Sequence, residues 1–195
     1  MKNYLLTKKL TLKTTVWAGG TTTQLAIFPE DAEYLKFNFD FRISYATVEV
    51  PESTFTFMPG VTRYLTILKG TLHIHHIDRY QKQLNQFDTH IFSGEWPTKA
   101  KGKVTDFNLM TRGGTVGEAE TLVLPDKTKN TITLEEKHSH TGLYLFSGNL
   151  TIKVDSEIVT LNAGDFILFK HETAEEIILY SKTVCESILS RVIMK

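Results

Sequence analysis

Twice in this chain a strand-forming run reaches a glycine and turns back into an alternating run, and that repeated rhythm leaves few folds open. RYLTILKGTLHIHHI sets Gly70 between two stretches rich in β-branched and aromatic residues, and GLYLFSGNLTIKVDS does the same around Gly148. In the second half VTLNAGDFILF adds a further turn at Gly164-Asp165. Tight turns of this kind join antiparallel neighbours, whereas parallel strands need a crossover of a dozen or so residues. Elsewhere, short runs of the same residue types are broken by Gly, Pro, Asn and Asp, and helical periodicity is scarce. The pattern predicts an all-β sandwich or barrel rather than alternating β/α units.

At 195 residues the chain buries a sizeable core without staples. Its 22 basic and 22 acidic residues cancel, and no stretch concentrates basic side chains, so nucleic acid and anionic membranes are poor partners. Cys185, the single cysteine, excludes an internal disulfide, suits a reducing compartment and reads as a small buried side chain. The basic start MKNYLLTKKLTLKTT lacks the apolar core of a signal peptide, and no run approaches the roughly 18 apolar residues of a membrane span. A cytoplasmic protein is the expectation.

The segment 39–70 carries the chemistry. FRISYATVEV alternates, with Ile43, Tyr45, Thr47 and Glu49 on one face and Ser44, Ala46, Val48 and Val50 on the other. Arg42 interrupts this apolar run, and Arg63 follows the turn at Pro59-Gly60. Arg112, in DFNLMTRGG, is a third arginine in unusual company. A guanidinium offers a rigid fork of donors that matches a carboxylate, so a small anion site is the first reading. For each arginine the alternative is pairing with Asp40 or Asp106 to lock strands; Arg42 is expected to do so beside Asp40, whereas Arg63, presented by its turn, is the better ligand contact. The segment from Asp106 to Met110 starts too polar for a plain core strand. Of three clustered histidines, His73 and His75 share one strand face and His76 takes the other; His73, if turned inward, would donate to a ligand. No nucleophile elbow, phosphate loop or dinucleotide fingerprint occurs, which lowers the case for an enzyme without closing it.

The strand–Gly–strand–Gly-Asp–strand rhythm resembles the cupin superfamily. Its repetition suggests a bicupin: two antiparallel jelly-roll barrels packed as one unit, divided as residues 1–104 and 105–195, with strands shared between them. Cupins are often metal enzymes, and the alternative function is a metal-dependent cupin enzyme acting on a small metabolite. Its ligands would be His138 and His140 with Glu175, although Thr141 stands where the motif's acid belongs.

Five ordered blocks, WAGGTTTQL, FDFRISYATVEV, FTFMPGVTRYLTILKG, FSGEWPTKAK and DFNLMTRGG, are similar to the HutD/Ves family of bacterial bicupins. The resemblance implies a compact bicupin with no established catalytic activity, no cofactor and a small-ligand pocket. It also implies a role in regulating histidine utilisation or in a stress response, with urocanate or formylated glutamate derivatives as suspected ligands. Carried over by position, Arg63 is the leading anchor, Arg42 and Ser44 come from one block, Trp17 and Thr22 from the first, and Asn108, Met110 and Arg112 from the last. This chain departs from the family at Ala18-Gly19-Gly20, at Gln24-Leu25 and in Arg112-Gly113-Gly114. The combined expectation is a binding protein for a small anionic metabolite, with Arg63 on the carboxylate and Trp17, Asn108 and His73 shaping the pocket. Exposed barrel edges add the expectation of a homodimer.

Overall fold

The computed structural model describes residues 4–171 and 175–195. Its first strands are β1 (Tyr4–Thr7), β2 (Thr14–Trp17), β3 (Gly20–Phe28), β4 (Phe41–Val48), β5 (Glu52–Thr54), β6 (Thr62–Lys69), β7 (Leu72–His76), β8 (Tyr80–Leu84), β9 (Thr89–Ser93), β10 (Thr98–Lys101) and β11 (Val104–Thr111). There follow β12 (Val116–Leu124), β13 (Lys129–Leu134), β14 (His140–Ser147), β15 (Asn149–Val154), β16 (Glu157–Asn162), β17 (Phe166–Lys170), β18 (Glu175–Ser181) and β19 (Cys185–Ile193). Among the described residues the only helical turns are two short 3-10 segments, Lys9–Thr11 and Tyr34–Lys36, and no helix is long and apolar enough to cross a membrane. The all-β expectation holds.

One compact unit holds Lys13–Gly117. It has a six-stranded sheet in the order β2-β3-β4-β11-β6-β9 and a four-stranded sheet in the order β5-β10-β7-β8. Leu65 and Ile67 of the larger sheet meet Leu72, Ile74, Leu84 and Ala100 of the smaller one in a common core. Burying a Leu or Ile side chain contributes about 1.5–3 kcal/mol, so this inner layer dominates the unit's stability. β7 shows the alternation that such a layer demands: Leu72, Ile74 and His76 turn in, His73 turns out. β6 and β11 are buried almost throughout, on both faces, which is why their sequences read as runs rather than alternations. At one end of the unit a second cluster, Phe39, Met58, Val61 and Met110, packs with Ile27, Tyr34 and Phe37. Most of that cover is the strap of residues 29–40 between β3 and β4.

The other unit holds residues 4–12 and Glu118–Met194. Its sheets run β1-β17-β14-β19-β12 and β13-β18-β15-β16 around Leu143, Leu145, Ile152, Leu161, Ile167, Phe169, Ile177 and Leu189. β1 pairs with β17, Tyr4 opposite Phe169. The Asp165 carboxylate accepts from Lys9 N and Lys8 Nζ, both at 2.9 Å, and from Asn162 N at 2.9 Å.

These units divide the chain differently from the expected boundary between residues 104 and 105. β11 lies between β4 and β6, so a cut before it would split the first large sheet, and that unit runs on to Gly117. The two glycines of the repeat occupy matching corners. Gly70 has φ +90° and Gly148 φ +94°; a Cβ at either would stand 2.6 Å from Lys103 O or 2.5 Å from Val184 O. Only glycine reconciles that backbone with that approach.

Candidate functional site

Register assembles the site. On the inner face of the six-stranded sheet Met110 lies opposite Arg42 on one side and Arg63 on the other. One step along, Asn108 lies opposite Ser44 and Leu65, and Gln24 continues that row beyond Ser44. Asp106 and Thr22 belong to the next row, both opposite or beside Ala46. The period of two along each strand puts all of these on one face. Arg42, Ser44, Arg63, Asn108 and Met110, chosen from sequence, are therefore brought together, with Thr22 at the margin.

Both guanidiniums are buried, Arg42 6% and Arg63 4% exposed. Arg42 Nε donates to Gln24 Oε1 at 2.9 Å and Nη1 to Ser44 Oγ at 3.0 Å, while Tyr34 of the strap covers it, 4.2 Å from ring centre to guanidinium carbon. Arg63 Nη2 donates to Thr56 O at 2.8 Å and faces Met58 Sδ at 2.9 Å. Its Nε is buried without a partner, and so is Asn108 Oδ1. Among the described residues no carboxylate oxygen lies within 4.0 Å of either guanidinium. Burial lowers both arginine pKa values, and Arg63 adds to the effect on Arg42 by like-charge repulsion. The carboxyl on this face, Asp106, is pushed up to about 7 by burial, against the opposing pull of Arg63. The expected partnership of Arg42 with Asp40 is not made; Asp40 instead engages through its backbone, N to Phe28 O and O from Arg112 N. The side chain at position 42 runs forward along its own strand to Ser44 and sideways to Gln24 on β3, away from Asp40.

Three other expected residues fall elsewhere. His73 is exposed on the outer face of the small sheet, beside Gln83 and Lys101, in a shallow groove of about 410 Å³. Trp17 is 39% exposed on the edge strand β2 and packs on Gly19, where a Cβ would stand 2.1 Å from its ring. Arg112 Nη1 donates to Phe37 O and so fastens the strap. The inward histidines of this unit are His76 and His90. Thr98 Oγ1 donates to Trp96 O, so it accepts from His76 Nδ1 at 2.8 Å, and His76 Nε2 then accepts from His90 Nε2 at 3.0 Å. Burial holds His76 down at about 4. Gln24 and Met58 are not among the residues expected from sequence, and Asp106 is expected only as a partner that locks an arginine; Gln24 and Asp106 repeat at spacing two from Thr22 and Asn108, and that spacing is the available signal.

The alternative metal trio is not assembled. His140 opens β14 with Nδ1 3.0 Å from Ser139 Oγ, while His138 precedes the strand, its Nε2 3.6 Å from Glu118 Oε2. Glu175 opens β18 opposite Leu134. No group of three or more His, Cys, Asp or Glu that could hold a metal occurs among the described residues.

Two antiparallel β units, each of two facing sheets, with polar side chains gathered inside one of them, define a bicupin. The HutD family model matches residues 9–185, and the chain belongs to that family. Comparison with curated proteins gives no match. A conserved protein of unknown function from Pseudomonas aeruginosa superposes with a TM-score of 0.85 at 16% identity, covering 98% of this chain and 99% of that one. HutD from Pseudomonas fluorescens, solved in a formate condition, gives 0.74 at 16% identity over 98% and 99%. The bacterial pirin YhhW of Escherichia coli, in complex with nickel(II), gives 0.70 at 11% over 96% and 98%. At these identities the likeness establishes fold alone.

Proposed function

We propose that this protein binds a small carboxylate metabolite inside its first barrel, between Arg42 and Arg63, in a regulatory rather than a catalytic role. The observation that carries this reading is the pair of buried guanidiniums, neither with a carboxylate oxygen within 4.0 Å among the described residues; Asp106, the acid whose field reaches Arg63, has its own carboxyl pushed up to about 7 by burial. Withdrawing a charge from water costs several kcal/mol even after relaxation, and a neighbouring charge of the same sign adds to it. Neutral partners such as Gln24, Ser44 and Thr56 offset little of that. An oxyanion between the forks supplies the missing charge and an acceptor for Arg63 Nε. Met110, Val61, Phe39 and Tyr34 provide the apolar wall such pockets use.

Calorimetric titration with acetate, urocanate and N-formylglutamate tests the proposal. Family membership makes the last two the first larger acids to try. A charge-assisted contact contributes about 1.5–3 kcal/mol, so Arg63→Ala is expected to weaken binding by about ten-fold or more. Arg42→Ala is expected to act in the same direction. Binding that survives Arg63→Ala unchanged would sink the assignment.

A further inference from the structure

The groups that occupy Arg63 all come from one segment, residues 55–58 between β5 and β6. They are Thr56 O at 2.8 Å, Met58 Sδ at 2.9 Å and the Phe55 ring at 5.2 Å. None is charged, and a thioether is a weak acceptor. The carbonyl and the sulfur both sit on Nη2, while Nε stays empty. Nε and Nη2 form the lateral edge of the fork, one of the edges that a carboxylate grips with two parallel bonds. The edge is thus half open and half stoppered.

The stopper is set on firm hinges. Phe55 N donates to Thr98 O at 3.0 Å and Met58 N to Gly94 O at 2.9 Å, which pins the segment on both sides. Between the pins Phe57 is 61% exposed, whereas Met58 is fully buried. The Tyr34 hydroxyl donates to the same sulfur at 3.7 Å, linking Met58 to the strap over Arg42.

We infer that residues 55–58 are an internal competitor for the ligand, with the Met58 sulfur holding a position on Arg63 that a ligand oxygen takes. This inference rests on the carboxylate-binding reading of the site. A two-oxygen anion satisfies Nε and displaces the sulfur from Nη2 in one step. A neutral amide lacks the charge that makes this exchange favourable, so Met58 sets the threshold for what enters. Displacement moves the Met58 side chain, and the short pinned segment transmits that movement to exposed Phe57.

The test uses acetate as probe and acetamide as its neutral counterpart, by calorimetry on the full chain. Met58→Leu keeps the volume and removes the acceptor; acetate is expected to bind about three- to ten-fold tighter than to the wild type. Met58→Gln supplies a stronger acceptor and is expected to bind acetate more weakly. In Phe57→Trp the tryptophan emission should change with the calorimetric midpoint, and should stay flat when Arg63→Ala is added. Equal acetate affinity in wild type, Leu and Gln variants overturns the competitor while leaving the carboxylate site standing. Acetate that binds none of them overturns the site itself, and acetamide binding as well as acetate overturns the selection by charge.

Discussion

Asp106 is the residue on which the site's response to pH turns. Its carboxyl, pushed up to about 7, is half ionised near neutrality, on the same inner face as Arg63 and Asn108. Below that value it is neutral and leaves the arginine charge to a ligand; above it, a carboxylate competes for the same field. Anion affinity is therefore expected to fall by about ten-fold between about pH 6 and pH 8. Asp106→Asn should flatten that dependence, and titration of acetate across the range measures it. A wild-type profile as flat as the variant's would contradict this role. At this scale the sequence marked Arg42 correctly as a residue out of place but assigned it the wrong neighbour. Chain proximity suggested Asp40, whereas alternation on β4 carries the side chain to Gln24 and Ser44.

The corners between strands are where local geometry is most demanding. Gly70→Ala and Gly148→Ala each force a Cβ toward a backbone oxygen in a left-handed conformation. Each is expected to cost about 1–3 kcal/mol, read as a lowered midpoint in urea unfolding. Asp165 is a second such joint. Burial opposes its charge, but hydrogen bonds from Asn162 N, Lys9 N and Lys8 Nζ win and lower its pKa. Asp165→Asn should destabilise the unit containing β1 and β17 by about 1–3 kcal/mol, because three donors lose a charged acceptor. Most strands were legible because half-buried strands such as β7 and β18 alternate cleanly. The glycine corners and the turn at Gly164 were legible for the same reason, as breaks between such runs. Strand order was not: nothing in the spacing of Val104–Thr111 says that it sits between β4 and β6. The histidines show the same limit, since His73 and His75 separate from His76 by parity, but parity alone does not say which face is inside.

Across the whole molecule, buried neutral histidines set the acid limit. His76 and His140 are held at about 4, chiefly by burial. Unfolding returns them to about 6.5, so the unfolded chain binds more protons between those values. Their contribution is fully present above about pH 6.5 and is lost as pH falls toward 4. Asp106 acts oppositely: its raised pKa makes the folded state the better proton binder between about 3.8 and 7, so it gains as pH falls. Thermal unfolding should show a net loss of stability on acidification, steeper in Asp106→Asn, which lacks the offset. The placement of β1 against β17 has a last consequence, in the order of synthesis. Residues 13–117 have emerged and can close while β17 is still untranslated, but the leading strand must wait for its partner. A polypeptide trimmed through Leu12, or burdened there with a bulky tag, should keep the early-made barrel and lose protease resistance in the late-made one.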